Sequence, residues 1–269
     1  MSRPVSFLSD FGHGDEFVGV VHGVIARIAP DVRVIDVTHG VPRGDVRAGA
    51  LALLRAVQYL PEGVMLAVVD PGVGTGRAAL AAETPWGNFV GPDNGLLAPA
   101  VAMVGGASRI VALENPDFRL VAHGATFDGR DVFAPAAAVL ASGQADLAEL
   151  GPEVSPNSVT PLLFPLVDDE GGSLRGEAWW VDGYGNVQTN IGVEDLAALG
   201  VVPGGRIAVV IVGTEHELPF VTAYGEVPRG DLLAHIDSYG MLALAVREGD
   251  AADELRLQPG TAVVVRAPR

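Results

Sequence analysis

Apolar residues alternate between two spacings along the first half of the chain. Apolar residues recur at helical spacing over 17–28, before Pro30, and again over 46–60, which Pro61 closes. Short apolar runs, typical of buried strands, lie between and beside these helices at 5–8, 32–37, 64–69 and 110–113. This alternation of strands and helices predicts a mostly parallel sheet covered by helices.

Turn and helix signals complete this half of the chain. Gly87 and Asn88 predict a hairpin, and a further helix is expected after Asp93. Residues 132–140 predict another helix, with Pro135 in or near its first turn, where proline is tolerated.

The pattern changes after Gly151. Four prolines and the polar run 168–172 predict a linker. Turn residues separate the apolar β-rich segments beyond it, which lie at 177–181, 206–212, 232–236, 242–246 and 262–265. We therefore predict an α/β domain with a mostly parallel central sheet at 1–165 and a smaller all-β, barrel-like domain at 172–269.

Composition and charge narrow the classes of function. The 269 residues are 49% hydrophobic, which excludes general disorder. A net charge of -16 argues against nucleic acid as a partner and favours a cationic small molecule. All 17 basic residues are arginine, so Schiff-base chemistry and a phosphate-binding P-loop, which need a lysine, are excluded.

The sequence lacks several features that would indicate a membrane protein, a thiol nucleophile or a metal site. No apolar run reaches the roughly 18 residues needed to span a bilayer, and the first residues lack the pattern of a signal peptide. We therefore expect a soluble, cytoplasmic protein with no membrane partner. The chain has no cysteine, and its six histidines show no metal-ligand spacing, so neither a thiol nucleophile nor a metal is expected.

The segment 68–77 carries the clearest candidate chemistry. An apolar strand ends at Asp70, a turn rich in glycine follows, and Arg77 closes it. Strands that end in this way deliver side chains to the crevice at the carboxyl edge of a parallel sheet. We expect Asp70 and Arg77 to meet across the loop as a charge-assisted pair.

Several other segments share this mixture of acidic, glycine and aromatic residues. They are Ser9-Asp10-Phe11-Gly12, 89–97, 126–135, 181–191 and Asp237-Ser238-Tyr239-Gly240. In this order the motifs resemble those of the S-adenosylmethionine (SAM) hydroxide adenosyltransferases, relatives of the fluorinases and chlorinases. The resemblance runs from about Val5 to Val265.

This resemblance implies an activity, a substrate and an assembly. Water or hydroxide would attack ribose C5′ of SAM and release adenosine and L-methionine, with SAM as substrate and no further cofactor. The family forms homotrimers, in which each site lies between the N-terminal domain of one subunit and the C-terminal domain of its neighbour.

Three residues correspond to the family's water-activating set. Asp70 and Arg77 match two of its members, whereas Asp128 stands where the family has a histidine. An aspartate with a pKa near ~3.9 is a weaker base than histidine. Asp128 either orients a water or takes its proton late, or it is a loop carboxylate paired with Arg130, and the sequence leaves these readings open.

The N-terminal binding residue implied by the resemblance is Asp10. A carboxylate at the end of a strand can accept both hydroxyls of a ribose, although an N-cap or turn role is the alternative. Two histidines have a functional alternative: His123 could substitute spatially for the family histidine, and His39, at the end of the second strand, could reach the crevice. Both are interpreted as structural residues.

The C-terminal domain would supply the remaining contacts. The resemblance implies that Asp182 and Asn186 bind the methionine ammonium and that Ser238 binds its carboxylate. The alternative for the first two is a plain hairpin turn, because their segment has strong turn chemistry. Tyr184 and Tyr224 are candidates for stacking on adenine.

Two competing functions remain open. Halide transfer would give a 5′-halo-5′-deoxyadenosine, but a fixed carboxylate at Asp70 repels a halide and can hydrogen-bond a water. The halogenating relatives have uncharged residues at this place, so water is favoured. The second alternative is a SAM- or adenosine-binding protein whose catalysis is impaired because Asp128 replaces the histidine.

Overall fold

The chain divides between Leu163 and Phe164 into two units, which are described separately. The structure is a computed structural model, and it describes residues 2–267. Within these residues, no helix is both long enough and apolar enough to cross a membrane.

A six-stranded sheet forms the centre of the first unit, in the order β2-β1-β3-β5-β4-β6. The first four strands in this order run parallel, and β4 is antiparallel to both of its neighbours. The strands are β1 (Val5–Ser9), β2 (Val34–Thr38), β3 (Gly63–Val68), β4 (Ala79–Thr84), β5 (Gly87–Pro92) and β6 (Arg109–Ala112). The helices are α1 (Phe17–Ile28), α2 (Val46–Val57), α3 (Ala98–Met103) and α4 (Ala134–Ser142).

The two central strands are buried along their whole length. Every residue of β1 and β3 is buried, and alternate side chains of both strands join those of α1 and α4 in one apolar cluster. Fully burying one large apolar side chain, such as Phe7 or Leu66, contributes roughly 1.5–3 kcal/mol. The ends of these strands are therefore firmly fixed, which makes them rigid supports for functional side chains.

Strands of the second unit close into a barrel. The order β14-β10-β11-β12-β13-β9-β8 returns to β14, which pairs with β8. A short strand, β7, pairs with β8 near its N-terminal end, at Leu174 and Arg175. The strands are β7 (Asp168–Asp169), β8 (Ser173–Val181), β9 (Val187–Gly192), β10 (Gly205–Ile211), β11 (Thr214–Phe220), β12 (Leu232–Ile236), β13 (Met241–Val246) and β14 (Ala262–Arg266). Two short helices, α5 (Val193–Ala198) and α6 (Ala251–Leu255), lie between strands.

Alternate side chains of these strands fill the barrel. On β12, Ala234 belongs to the apolar cluster inside the barrel, with Leu232 and Ile236 packed against it. Leu233 belongs to a separate small cluster with Val221. This alternation follows the two-residue period of a strand.

The predicted fold class is confirmed, with corrections in detail. The predicted hairpin turn lies at residues 85–86, and Gly87 begins β5 instead. Gly87 has φ +144°, and a Cβ there would lie 2.2 Å from the Gly63 carbonyl oxygen in β3. The close approach of β3 therefore requires glycine at position 87. One turn of π-helix, Gly129–Phe133, precedes α4, so the first two residues of the helix predicted at 132–140 are π-helical.

Candidate functional site

Asp70 and Arg77 form the predicted pair at the carboxyl end of β3. Arg77 Nε donates to both carboxylate oxygens of Asp70, at 2.9 and 3.0 Å, and Nη2 also donates to Oδ2. The side chain of Asp70 is 6% exposed and that of Arg77 is 12% exposed. Several hydrogen bonds between two nearly buried charged groups fix the orientation of the carboxylate.

The loop between these residues folds back because of its small residues. The Thr75 hydroxyl donates to the Gly72 carbonyl at 2.6 Å and closes a tight turn. A Cβ on Gly72 would lie 3.2 Å from Arg77 Cγ, so a side chain there would push the arginine away. Gly74 has φ +76°, and a Cβ on it would lie 3.0 Å from the Ala125 carbonyl oxygen. The loop therefore packs closely against the segment that leads to Asp128.

Asp128 joins this pair through the same arginine. Arg77 Nη2 donates to Asp128 Oδ2. Arg130 pairs instead with Asp131, with Nε 2.6 Å from Oδ1 and Nη2 2.8 Å from Oδ2. The reading of Asp128 as a carboxylate paired with Arg130 is therefore wrong, because the π-helical turn directs Arg130 to its sequence neighbour.

Two carboxylates and one guanidinium leave this cluster with one net negative charge. Burial acts to lower the pKa of Arg77, but the hydrogen bonds that it donates to Asp70 and Asp128, together with the charges of these carboxylates, outweigh burial and raise that pKa. The guanidinium also lies 5.2 Å from the centre of the Phe133 ring. Arg77 is thus permanently charged, and the surplus carboxylate lone pairs can accept hydrogen bonds from a water.

Asp10 lies at the same edge of the sheet, directly after β1. Its Oδ2 accepts a hydrogen bond of 2.8 Å from the Gly44 amide. Gly44 lies close to the loop after β3: a Cβ on Gly44 would be 3.6 Å from Pro71 Cβ. Asp10 does not cap α1, which begins at Phe17. The N-cap alternative is therefore wrong, and Asp10 lies in a loop beside the segment that carries Asp70.

Two pockets open in this part of the first unit. One, of about 400 Å³, is lined by Arg77 and Asp128, with Glu114 and Arg119 on its polar wall. The other, of about 530 Å³, is lined by three aromatic rings and by His123. The rings are Phe11, Phe17 and Phe127, with Phe127 centred 5.8 Å from Phe11 and 5.1 Å from Phe17. His123 therefore lies in the aromatic pocket, which does not include Asp128.

Sequence spacing missed one group of polar side chains. His22 Nε2 and His39 Nε2 lie 2.8 and 3.0 Å from the same oxygen, Asp36 Oδ1. These three residues are close enough to hold a metal ion together. His22 comes from α1, whereas the other two come from β2 and the turn after it, so no linear spacing could reveal the cluster.

In the second unit, Asp182 builds the turn between β8 and β9. Its Oδ1 accepts hydrogen bonds from the amides of Tyr184 at 2.8 Å and Asn186 at 2.9 Å, and its Oδ2 accepts from Asn186 Nδ2 at 2.9 Å. Gly185 has φ +79°, and a Cβ there would meet the Asp250 carboxylate at 2.2 to 2.6 Å. Asp182 therefore has the predicted turn role. Within the turn, the side-chain oxygen of Asn186 accepts none of these hydrogen bonds.

A pocket of about 600 Å³ adjoins this turn. Asp182, Asn186, Tyr184 and Tyr224 all line it. Tyr184 is 82% exposed and Tyr224 is 45% exposed, so both rings offer open surface for stacking. Burial raises the pKa of Tyr224, and the nearby charges of Asp182 and Asp237 raise it further. An acidic, aromatic pocket of this kind suits a cationic ligand.

Ser238 lies in the turn between β12 and β13, next to Asp237. Asp237 Oδ1 accepts from the amides of Tyr239 at 2.8 Å and Met241 at 3.0 Å, and its Oδ2 accepts from Gln188 Nε2. Ser238 is exposed and does not line the pocket near Tyr224. The second unit therefore brings together four of the five predicted residues, and Ser238 stands beside them on a separate turn.

Comparison with known proteins gives consistent matches over nearly the whole chain. The chain is 47% identical to an (R)-S-adenosyl-L-methionine hydrolase from Salinispora arenicola, over 98% of this chain and 97% of that protein. It is 43% identical to a hydrolase of the same name from Thermus thermophilus, over 97% and 98%. A fluorinase from an Actinoplanes species is 28% identical, over 97% and 96%.

A solved structure shows the same fold. An uncharacterised conserved protein from Thermotoga maritima superposes with a TM-score of 0.90 and 35% identity, covering 98% of this chain and all of that one. Models of the SAM hydroxide adenosyltransferase N-terminal and C-terminal domains match residues 5–151 and 176–264. The chain belongs to the SAM hydroxide adenosyltransferase family.

Proposed function

We propose that this protein hydrolyses SAM at ribose C5′ and releases adenosine and L-methionine. The observation that carries the proposal is the cluster of Asp70, Arg77 and Asp128 at one edge of a rigid sheet. Family membership and full-length relatives named (R)-S-adenosyl-L-methionine hydrolases support it. SAM itself is the substrate, and the reaction requires no further cofactor.

Asp70 holds and activates the attacking water. Its carboxylate is fixed by Arg77, so its remaining lone pairs point in a set direction. The leaving group is a sulfonium that departs as neutral methionine, and no general acid is needed. The site must therefore supply alignment of the water and removal of its proton as the C–O bond forms.

Asp128 acts with Asp70 through their shared arginine. Two carboxylates bound to one guanidinium compete for its donors, which leaves each one partly free to accept from water. In this role Asp128 orients the water and keeps Arg77 in place, and a histidine at this position is not required. The Asp128→His variant should retain turnover, whereas an impaired binding protein would gain turnover on that change.

Substrate contacts are divided between the two units. Asp10 binds the ribose hydroxyls with its carboxylate. Asp182 and Asn186 bind the methionine ammonium through oxygen acceptors, and the Ser238 hydroxyl donates to the methionine carboxylate. Tyr224 and Tyr184 supply aromatic surface for the adenine. The acidic pocket that Asp182 and Asn186 line supports these assignments for a cationic substrate.

We extend the proposal to a homotrimer with sites at subunit interfaces. The family resemblance and the division of the ligand residues between two units support it. Mixing unfolded Asp70→Asn and Asp182→Ala chains and refolding them together should restore about a quarter of the sites, because each intact half then meets its partner on a neighbouring subunit. Activity no greater than that of the separate variants would contradict sites shared between subunits. The expected cytoplasmic location stays a prediction.

Product identification tests hydrolysis against halide transfer. Purified protein is incubated with SAM in separate buffers containing chloride, fluoride or neither, and nucleosides are identified by mass spectrometry. Adenosine at the same rate in all three buffers is the expected result. A halogenated nucleoside would move the protein to halide transfer, and binding of SAM without any product would favour a binding protein.

A further inference from the structure

A chain of hydrogen bonds runs beside Asp10, buried at Ser9 and His39 and exposed at Asp36. His39 Nδ1 lies 2.7 Å from Ser9 Oγ, and His39 Nε2 lies 3.0 Å from Asp36 Oδ1. Ser9 is 0% exposed and His39 is 1% exposed. Because buried polar groups are costly when unpaired, the direction of each hydrogen bond in this chain can be assigned.

The carboxylate determines the position of every proton. An ionised Asp36 can only accept, so Nε2–H of both His22 and His39 donates to it. Nδ1 of a neutral His39 is then an acceptor, and the Ser9 hydroxyl must donate to it. The lone pairs of Ser9 Oγ remain available to the Phe11 amide, which donates to that oxygen at 3.3 Å. The whole network is satisfied with His39 neutral.

This network holds the loop that carries Asp10 at two places. The Phe11 amide is bound through Ser9, and the Gly12 amide donates to the His39 carbonyl oxygen at 2.8 Å. Asp10 lies between Ser9 and these two anchored amides. The ring of His39 itself is fixed against Phe7, with centres 4.6 Å apart.

We propose that His39 is a positioning residue that, through Ser9 and Gly12, sets the carboxylate of Asp10 for ribose binding. The proposal rests on the proposed function for the role of Asp10. Ser9 is too deeply buried to be a nucleophile, so its pairing with His39 and Asp36 has no place in covalent catalysis. The hydrogen bonds also explain the convergence of His22, Asp36 and His39 without an ion.

Protonation of His39 should weaken the hydrogen bonds through which Ser9 holds the loop that carries Asp10. Burial lowers the pKa of His39, and the nearby His13 and His22 lower it further, whereas Asp36 acts in the opposite direction. The neutral form therefore predominates near neutral pH, and the charged form appears only below the ordinary value of about 6.5. A charged His39 carries a proton on Nδ1, so the Ser9 hydroxyl must turn away and lose its acceptor. KM should then rise at acidic pH, while kcat changes less.

Removing the links one at a time tests the proposal. Ser9→Ala and His39→Ala should each raise KM for SAM about 10-fold and change kcat by less than about 3-fold, as expected for one lost hydrogen bond that orders a binding group. His39→Asn can accept from Ser9 but does not titrate, so it should recover part of the loss and flatten the acidic rise of KM. His22→Asn, which removes a side chain that contacts Asp36 but not Ser9, is the matched control, and it should keep the KM and kcat of the unmodified protein at neutral pH.

Binding of adenosine separates this proposal from the proposed function. Calorimetry should show weaker adenosine binding in Ser9→Ala and in His39→Ala, with far-ultraviolet circular dichroism unchanged. Unchanged KM and unchanged adenosine binding in a folded Ser9→Ala protein would overturn the positioning role. Failure of the unmodified protein to hydrolyse SAM would overturn the proposed function alone, because adenosine binding still tests the link from His39 to Asp10.

Discussion

Two acidic sites in this molecule are built in opposite ways. Asp70 is nearly buried, and the arginine it binds also binds Asp128, 58 positions further along the chain. Asp182 instead builds a surface turn with its immediate neighbours, and its carboxylate accepts only neutral amide donors there. The first site is a fixed charge cluster on a rigid sheet edge, and the second is a local turn in an open, acidic pocket.

This difference supports the different tasks that we propose for the two sites. A nearly buried carboxylate with a fixed partner has the rigid orientation that proton removal from an attacking water requires. A carboxylate in an open pocket attracts and holds a cationic group without needing such precision. Changes at the first site should therefore act on kcat, and changes at the second should act on KM.

The largest effect is expected from Asp70→Asn. This change keeps the shape of the side chain but removes the carboxylate that we propose accepts the proton, so kcat should fall about 10²- to 10⁴-fold. Binding of SAM, measured by calorimetry, should change by only a few-fold. Asp31→Asn, on an exposed turn, is the control and should leave both quantities unchanged. Normal turnover in Asp70→Asn would remove Asp70 from the mechanism.

Replacing the shared cation tests how strongly the cluster depends on charge. Arg77→Met leaves Asp70 and Asp128 facing each other without a cation, and it should lower the free energy of unfolding by about 3 kcal/mol and abolish activity. Asp128→Asn keeps the pair between Asp70 and Arg77, so its cost in urea unfolding should be smaller. Equal stability losses in the two variants would contradict the central place of Arg77.

Asp182→Asn tests the acidic pocket of the second unit. The substitution removes the charge offered to an ammonium group and places a second amide donor against Asn186 Nδ2. KM for SAM should rise about 10-fold, as expected for loss of a hydrogen bond to a charged group, with kcat nearly unchanged. Steady-state kinetics measures both constants. A fall in kcat with constant KM would show that the two sites do not divide the tasks as described.

The smallest effect is expected far from both sites, in the turn between β10 and β11. Ile211 pairs with Thr214, so Val212 and Gly213 form a two-residue loop, with φ of 48° and 80°. A β-branched residue is strained at positive φ, whereas asparagine is preferred in such turns. Val212→Asn should raise the free energy of unfolding by about 1 kcal/mol and leave kinetics unchanged. Lower thermal stability would contradict this assignment of strain.

Local sequence patterns were sufficient for much of the fold. The helical spacing before Pro30 gives α1, and the apolar run 232–236 gives β12. Strand β9 escaped prediction because Gln188, Thr189 and Asn190 are polar yet buried. Their partners lie far away in sequence; for example, Thr189 Oγ1 donates to the Leu242 carbonyl oxygen. A period of apolar residues cannot reveal a strand whose buried side chains are polar.

In the candidate site, too, only contacts between residues close in sequence could be predicted. Asp70 and Arg77 are seven residues apart in one loop, so their contact could be predicted from spacing and turn chemistry. The partner of Asp128 could not, because Arg130 is nearer in sequence and only the π-helical turn excludes it. The group of His22, Asp36 and His39 likewise depends on how α1 packs beside β2, which no motif records.

The most direct test of the central claim is a single-turnover reaction in ¹⁸O-labelled water. Enzyme in excess over SAM is quenched, and the products of the unmodified and Asp70→Asn proteins are analysed by mass spectrometry. We expect one ¹⁸O atom in the adenosine 5′-hydroxyl, unlabelled methionine, and a much slower appearance of adenosine in Asp70→Asn. Label in any other product, or an equal rate of appearance in both proteins, would contradict attack at C5′ by a water that Asp70 activates.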